Sequence, residues 1–326
     1  MNMLEIYPST RDPKNYMSAI RIYNEVLHQY ASNELNKKLT FDDSFVNEDL
    51  CIVTTGSDGR LEKSALSPIE LVILKSPTYT SEEELDTKVR QSLLGIRSDI
   101  YDSAVEEKDL SQDFLIKYSP NGKVFPTRAL DSKFLYGNYH LYSRYRSSPL
   151  RELKGSDGKK FFDKFKDRVR SHRSNLRDNM KGTDQNPQFN LETGELFYLG
   201  NGRDINSTKR ATKFGHLRTM QYRLARDLCK YFREVESPDM GKLLHGFPSS
   251  TLDRLNYLYY AGVLDLSSNE LDDISNAYTL SLYWYHLAEE NFRFHGQETT
   301  TVDPGELREV SRIALKFGKR KDSIIK

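Results

Sequence analysis

Cysteine is nearly missing from this chain: Cys51 and Cys229 are the only two among 326 residues. They stand far apart, among apolar or helical neighbours. No disulfide framework and no cysteine metal site can be built from them, so buried reduced thiols are expected. An excess of one charge is lacking too. Lys and Arg number 48 against 47 Asp and Glu, so no chain-wide field draws the protein to nucleic acid or anionic membrane. No apolar run approaches the ~18 residues that mark a membrane-spanning helix, and no transmembrane segment is expected. The start, MNMLEIYPSTRDPKNY, lacks the basic-then-apolar layout of a secretion signal. Together these absences predict a cytoplasmic protein in a reducing compartment, with export that uses no cleaved signal left open. The seven histidines are scattered singly, with no His-x-x-x-His or His-Glu-x-x-His spacing. Zinc-hydrolase chemistry and the paired His-Asp clusters of metal phosphohydrolases are thereby excluded.

The length allows two domains, each with its own core. Asp12-Pro13 opens a helix whose apolar positions Tyr16, Ile20, Tyr23, Val26, Leu27 and Tyr30 recur at threes and fours. A polar stretch from Asn33 to Asp49 leads to a strand over 50–55, and a second strand is expected over 69–74. Ser81 and Glu84 form a capping box for a helix over 82–94. A third strand is read over 99–105, and Phe114 to Phe125 reads as a hairpin around Pro120-Asn-Gly122. From residue 127 onward the pattern predicts helices over 127–147, 159–180, 208–234, 251–262, 270–294 and 304–318, with a short hairpin around 189–199. The boundary between a mixed half and a helical half falls near Pro149.

Gly56-Ser57-Asp58-Gly59-Arg60 separates the first two strands, and Glu70 lies in the second. A tight glycine turn lets backbone N–H groups approach phosphate oxygens closely, and a serine adds a hydroxyl donor. Alternate residues of a strand share a face, so acids one residue apart converge on the same metal ions. Two such ions ~4 Å apart clamp the attacking and leaving oxygens of a phosphoryl-group displacement.

This stretch resembles the signature of the nucleotidyltransferase superfamily, the DNA polymerase β-like fold. There a Gly-Ser turn is followed by two metal-binding acids, one residue apart, on the next strand. Positions 68 and 70 keep that spacing, twelve and fourteen residues after Gly56. Gly59-Arg60, Glu62 and Ser67 are similar to the bacterial protein-uridylyltransferase type. So is Thr127-Arg-Ala-Leu-Asp-Ser-Lys-Phe-Leu-Tyr-Gly-Asn138, which looks like the segment closing that catalytic domain. Gly215-His-Leu-Arg-Thr-Met-Gln221 is a fainter likeness to its helical part.

The resemblance implies an α/β (α+β) nucleotidyltransferase-fold domain with a mixed sheet, residues 1–149, followed by an α-helical domain, residues 150–326. It implies transfer of a nucleoside monophosphate from a Mg²⁺-bound nucleoside triphosphate, such as ATP, to a hydroxyl of a protein or small molecule. On this reading Gly56, Ser57, Gly59 and Arg60 hold the nucleotide, with Arg60 steadying the turn. Glu70 ligates metal, and Asp99 or Asp102 supplies the third acid, Asp99 also as a metal ligand. Arg218 contacts phosphate.

Position 68, however, is proline, which has no carboxylate and no N–H and belongs at a strand start or edge. Two outcomes stay open. Glu70 works with a substitute among Asp58, Glu62, Asp99 and Asp102, as Mg²⁺ sites often use one or two carboxylates plus substrate phosphates. Otherwise the fold is catalytically degenerate and serves as a nucleotide-binding or protein-interaction module. A nucleic-acid polymerase or binder is the least favoured reading, because the charge is balanced and no helix-hairpin-helix or aromatic-basic platform is evident.

Two basic clusters remain. Lys159 to Lys181 carries nine Lys and Arg against three Asp. As a helix it turns Phe161, Phe162, Phe165, Val169 and Leu176 inward and a basic face outward. That face reads as solvated, or as a dock for triphosphate, RNA or acidic protein. Lys209, Arg210, Lys213, Arg218, Arg223 and Arg226 form a second group, with a cleft-facing role open to it. Tyr278, Leu282, Trp284, Tyr285 and Leu287 read as core.

Overall fold

A computed structural model describes residues 13–39, 50–64, 70–75, 115–118, 126–154, 158–184, 187–198, 215–234 and 247–320. The chain divides into two compact units, Met1–Arg151 with Pro238–Ser250, and Glu152–Ser237 with Thr251–Lys326. The first is mixed helix and sheet; the second is mostly helical. Among the described residues no helix is long and apolar enough to cross a membrane.

The first unit opens with α1 (Pro13–Leu39), in which Tyr16, Ile20, Tyr23 and Leu27 are buried. The helix runs on past Asn33, where the polar residues predict its end. Ala31, Leu35 and Leu39 keep the same stripe at steps of four and are buried as well. Ser32 Oγ donates to Leu135 O at 2.7 Å, which ties α1 to the sheet.

That sheet has the order β3-β2-β1-β4. Its strands are β1 (Leu50–Thr54), β2 (Glu70–Lys75), β3 (Leu115–Tyr118) and β4 (Lys133–Gly137). β1 is antiparallel to β2 and to β4, and β2 is parallel to β3. All five β1 residues are buried, as a central strand covered on both faces requires. Cys51, Val53, Val72 and Leu74 form one core cluster with Ala129 of α3 (Pro126–Leu130) and with Tyr142 and Tyr145 of α4 (Tyr139–Lys154).

β4 corrects the expectation of one helix over 127–147. That segment is a short helix, a strand and a second helix. Lys-Phe-Leu-Tyr-Gly is strand-forming in composition, and pairing with β1 settles the ambiguity that helical spacing leaves. Gly137, at φ +91°, ends the strand. A Cβ there would sit 2.2 Å from Leu50 O, and Asn138 N donates to the same oxygen at 2.7 Å.

In the second unit the helices are α5 (Gly158–Met180), α6 (Gly215–Glu234), α7 (Thr251–Tyr260), α8 (Ser268–His295) and α9 (Pro304–Lys319). Ser267 and Glu270 form a reciprocal capping box at the start of α8, and Gly296, at φ +63°, closes it. Tyr278, Leu282, Trp284 and Tyr285 are core, as read, whereas Leu287 of the same helix is half-buried. Phe189 bridges Leu196 as part of the expected local hairpin. The ladder partner of β5 (Glu195–Phe197), however, is the distant β6 (Thr299–Thr301). The helix over 82–94, the strand over 99–105 and the return strand near 124–125 lie outside the described residues.

Candidate functional site

The segment after β1 is a four-residue helix, α2 (Gly56–Gly59), rather than an open turn. Gly59 N donates to Thr55 O at 3.3 Å and Arg60 N to Gly56 O at 3.2 Å. The N–H groups of Gly56, Ser57 and Asp58 precede this ladder, and Thr55 supplies no side-chain cap. At the other end, Glu62 N donates to Ser57 O at 2.8 Å and Leu61 N to Asp58 O at 3.0 Å. This 6→1 and 5→2 pair is a Schellman closure. Its left-handed residue, normally glycine, is Leu61 at φ +60°, and the side chain is buried. A leucine in that conformation is strained by about 1–2 kcal/mol, and such strain persists only where the surroundings over-determine the backbone.

Those surroundings are a buried ion-pair cluster. Arg60 Nε donates to Glu62 Oε2 at 2.8 Å, and Arg60 Nη1 to Asp131 Oδ2 at 2.5 Å. Arg60 is 4 % exposed and Glu62 1 %, so the guanidinium braces the turn from within. Gly59 is packed so closely against the same segment that a Cβ would fall 1.6 Å from Asp131 O. Behind Asp131, Ser132 O accepts from Tyr142 Oη at 3.1 Å and from Arg146 Nη1 at 2.8 Å. Asn24 Nδ2 of α1 donates to Lys63 O at 2.9 Å and holds the exit of the turn.

Glu70, the first residue of β2, meets the turn at its other end. Thr55 N donates to Glu70 O at 2.8 Å. Glu70 N donates to Asp58 Oδ2 at 2.8 Å. The Glu70 carboxylate lies against the Gly56 Cα, where a Cβ would be 2.2 Å from Oε2; Gly56 has φ +64°. Glycine is therefore required twice over, by conformation and by space.

The structure thus brings Gly56, Ser57, Gly59, Arg60 and Glu70 together. Two of the candidate substitute acids have structural duties here: Asp58 anchors the β2 backbone and Glu62 pairs with Arg60. Pro68, Asp99 and Asp102 lie outside the described residues. No group of three or more metal-ligating side chains occurs among the described residues. The donor set that is described fits a Mg²⁺ carried in on phosphate oxygens and met by the Glu70 carboxylate, since one carboxylate is a common protein share for that ion.

Asp131 is the residue that sequence reasoning left without a role. Its signal was present in the Leu130-Asp131 of the segment likened to the end of the catalytic domain. Only the fold shows that it faces Arg60. Arg218 belongs to the second unit, on α6. There it and Arg168 lower the pKa of His172 to about 4, after burial, which is the larger cause. His172 stacks on Tyr222 with ring centroids 5.0 Å apart. Arg223 and Arg226 are corrected from cleft-facing to buried: both guanidiniums bond Asp227, at 2.6 Å from Arg223 Nε and 2.9 Å from Arg226 Nη2. Lys209, Arg210 and Lys213 lie outside the described residues. Cys51 and Cys229 are buried thiols, each pushed up to about 12 by burial and hence unreactive as thiolates.

No protein-family model matches the chain, and no curated protein sequence matches it.

Proposed function

We propose that the first unit binds a nucleoside triphosphate with its Mg²⁺ at the α2 turn and transfers the nucleoside monophosphate to a hydroxyl of a protein or small molecule. One observation carries this reading: the Glu70 carboxylate is seated directly over Gly56. A carboxylate and the uncapped start of a glycine turn occupy one spot, where metal and phosphate must meet in such a reaction. In this account the N–H groups of Gly56 and Ser57 and the Ser57 hydroxyl hold phosphate oxygens, and Glu70 holds the metal. Arg60 and Gly59 fix the shape of the turn through Asp131 and touch no substrate. Asp99 or Asp102 completes the acid set.

A specific observation favours a second reading, a nucleotide-binding module without transfer. Pro68 provides no carboxylate, and Asp58 and Glu62, the nearest replacements, are bonded into the turn. Transfer of α-phosphate label from a nucleoside triphosphate in Mg²⁺ separates the two. Label moved by the natural chain and lost in Glu70→Ala supports the enzyme. Binding without transfer, with transfer gained in Pro68→Asp, supports the module. A chain that binds no nucleotide in either form defeats both.

A further inference from the structure

Basic residues on α5 recur at a step that a straight helix turns into a line. Lys159, Arg170 and Lys181 are eleven residues apart, and Lys166 and Arg177 repeat the same step. Eleven residues make three turns plus roughly 20°. The five side chains therefore leave one side of the helix, spread over about 33 Å of its axis. All five are exposed. Lys181 follows the last helical residue and continues the line, because its N–H still bonds Arg177 O at 3.1 Å. Phe165, Val169 and Leu176, each one residue before a cation of the line and so about 100° round the helix from it, are buried in the core of the second unit. Across 158–181 there are nine Lys and Arg against three Asp in a chain of net charge +1. The rest of the chain is net acidic, and overall balance conceals a local field. The pairs Arg170–Asp167 at 3.4 Å and Arg177–Asp178 at 3.3 Å are solvent-exposed; pairs of this kind contribute about 0–1 kcal/mol and leave the line cationic.

We infer that this side of α5 is a docking surface for nucleic acid, recognised through its phosphates without regard to sequence. The surface is independent of the nucleotide site. Lys159, Asp163, Lys166, Arg170, Arg177 and Lys181 share the exposed side, and none is apolar. A protein partner is a poorer fit, because interface cores are depleted of lysine and enriched in aromatic residues. A membrane surface is poorer too. A helix lying in lipid turns its apolar face to the acyl boundary, and the apolar face of α5 is buried in its own unit. Duplex nucleic acid carries a charge every ~1.7 Å of its axis and asks only for a row of cations.

The test is anisotropy titration of the full chain against two DNA duplexes of unrelated sequence over a range of salt. Five phosphate contacts predict a log–log salt slope near −4.5, the same for both duplexes. The double variant Lys166→Ala, Arg177→Ala lowers that slope by about two. Arg308→Ala with Arg312→Ala on α9 removes equal charge elsewhere and leaves the slope unchanged. The inference is overturned by an equal loss in the control pair or by the absence of duplex binding at low salt. Binding of anionic vesicles or polyglutamate in place of DNA overturns it as well.

Discussion

The Glu70 carboxylate occupies the space where any side chain at position 56 would begin, 2.2 Å from the Cβ that Gly56 lacks. Gly56→Ala therefore meets two obstacles, a left-handed backbone worth about 1–2 kcal/mol and a collision with Oε2. In a Glu70→Ala background only the first remains. The destabilisation by Gly56→Ala, measured by urea unfolding, is predicted to be smaller there than in the natural chain. Equal costs in the two backgrounds would show that the residues do not touch.

Arg60 is the keystone of the turn. Asp131→Ala leaves a buried guanidinium with one of its two carboxylate partners gone, and Arg60→Ala leaves two buried carboxylates. Breaking a buried pair from one side typically costs about 3–5 kcal/mol. Each variant is expected to lose that much stability. Nucleotide binding should fall with it, although neither side chain touches ligand in this account. A loss below about 1 kcal/mol would place the cluster in solvent.

Much of this site was legible in the sequence because its parts are local. β1, the glycine turn and the Glu70 strand follow one another between Leu50 and Lys75, and apolar runs broken by glycine announce such an order. What was not legible needed a partner from elsewhere. β4 reads as helix until β1 is beside it, and β5 looks like half of a local hairpin until Thr299–Thr301 arrives. Arg60 was read as steadying the turn while holding the nucleotide, but nothing in its own neighbourhood points to Asp131, seventy-one residues on. Arg223 and Arg226 are a different case, because their partner is local: a cleft-facing role was open to them, yet a single aspartate one and four residues away takes both.

Acid should weaken the fold through buried histidines. His216 Nε2 lies 2.7 Å from Ser311 Oγ, whose proton goes to Leu307 O at 2.7 Å, so Nε2 carries the histidine proton. His216 Nδ1 is buried with no hydrogen-bond partner among the described residues. Burial lowers its pKa from 6.5 to about 3. Between those values the unfolded chain takes up a proton that the folded chain refuses. Stability therefore falls as pH drops below 6.5, by up to about 1.4 kcal/mol per pH unit for this residue. His28 and His172, each lowered to about 4 chiefly by burial, act in the same direction. Unfolding free energies at pH 7 and 5 should differ, and His216→Gln should flatten the dependence by one proton. An unchanged dependence in that variant would remove His216 from the account.

The start of α8 carries a separate pH-linked contribution. Glu270 is held at about 2, first by the Ser267 backbone N–H, then by Arg320 and Lys316. Its folded pKa is depressed, so its stabilisation is complete above about 4.5 and is lost as pH falls toward 2. Ser267→Ala is expected to cost about 1 kcal/mol. Glu270→Ala should cost more at pH 7, because Lys316 of α9 and Arg320 just beyond it lose their contacts with the carboxylate, and the difference should shrink on acidification. A Glu270→Ala cost that is constant with pH would contradict the assignment.

Calorimetric titration with a nucleoside triphosphate, with and without Mg²⁺, tests the central claim most directly when run on the natural chain, Gly56→Ala and Glu70→Ala. The predicted result is Mg²⁺-dependent binding by the natural chain that weakens at least tenfold, about 1.4 kcal/mol, in each variant while the fold persists by circular dichroism. Absence of binding by the natural chain, or equal affinity in all three, would contradict it.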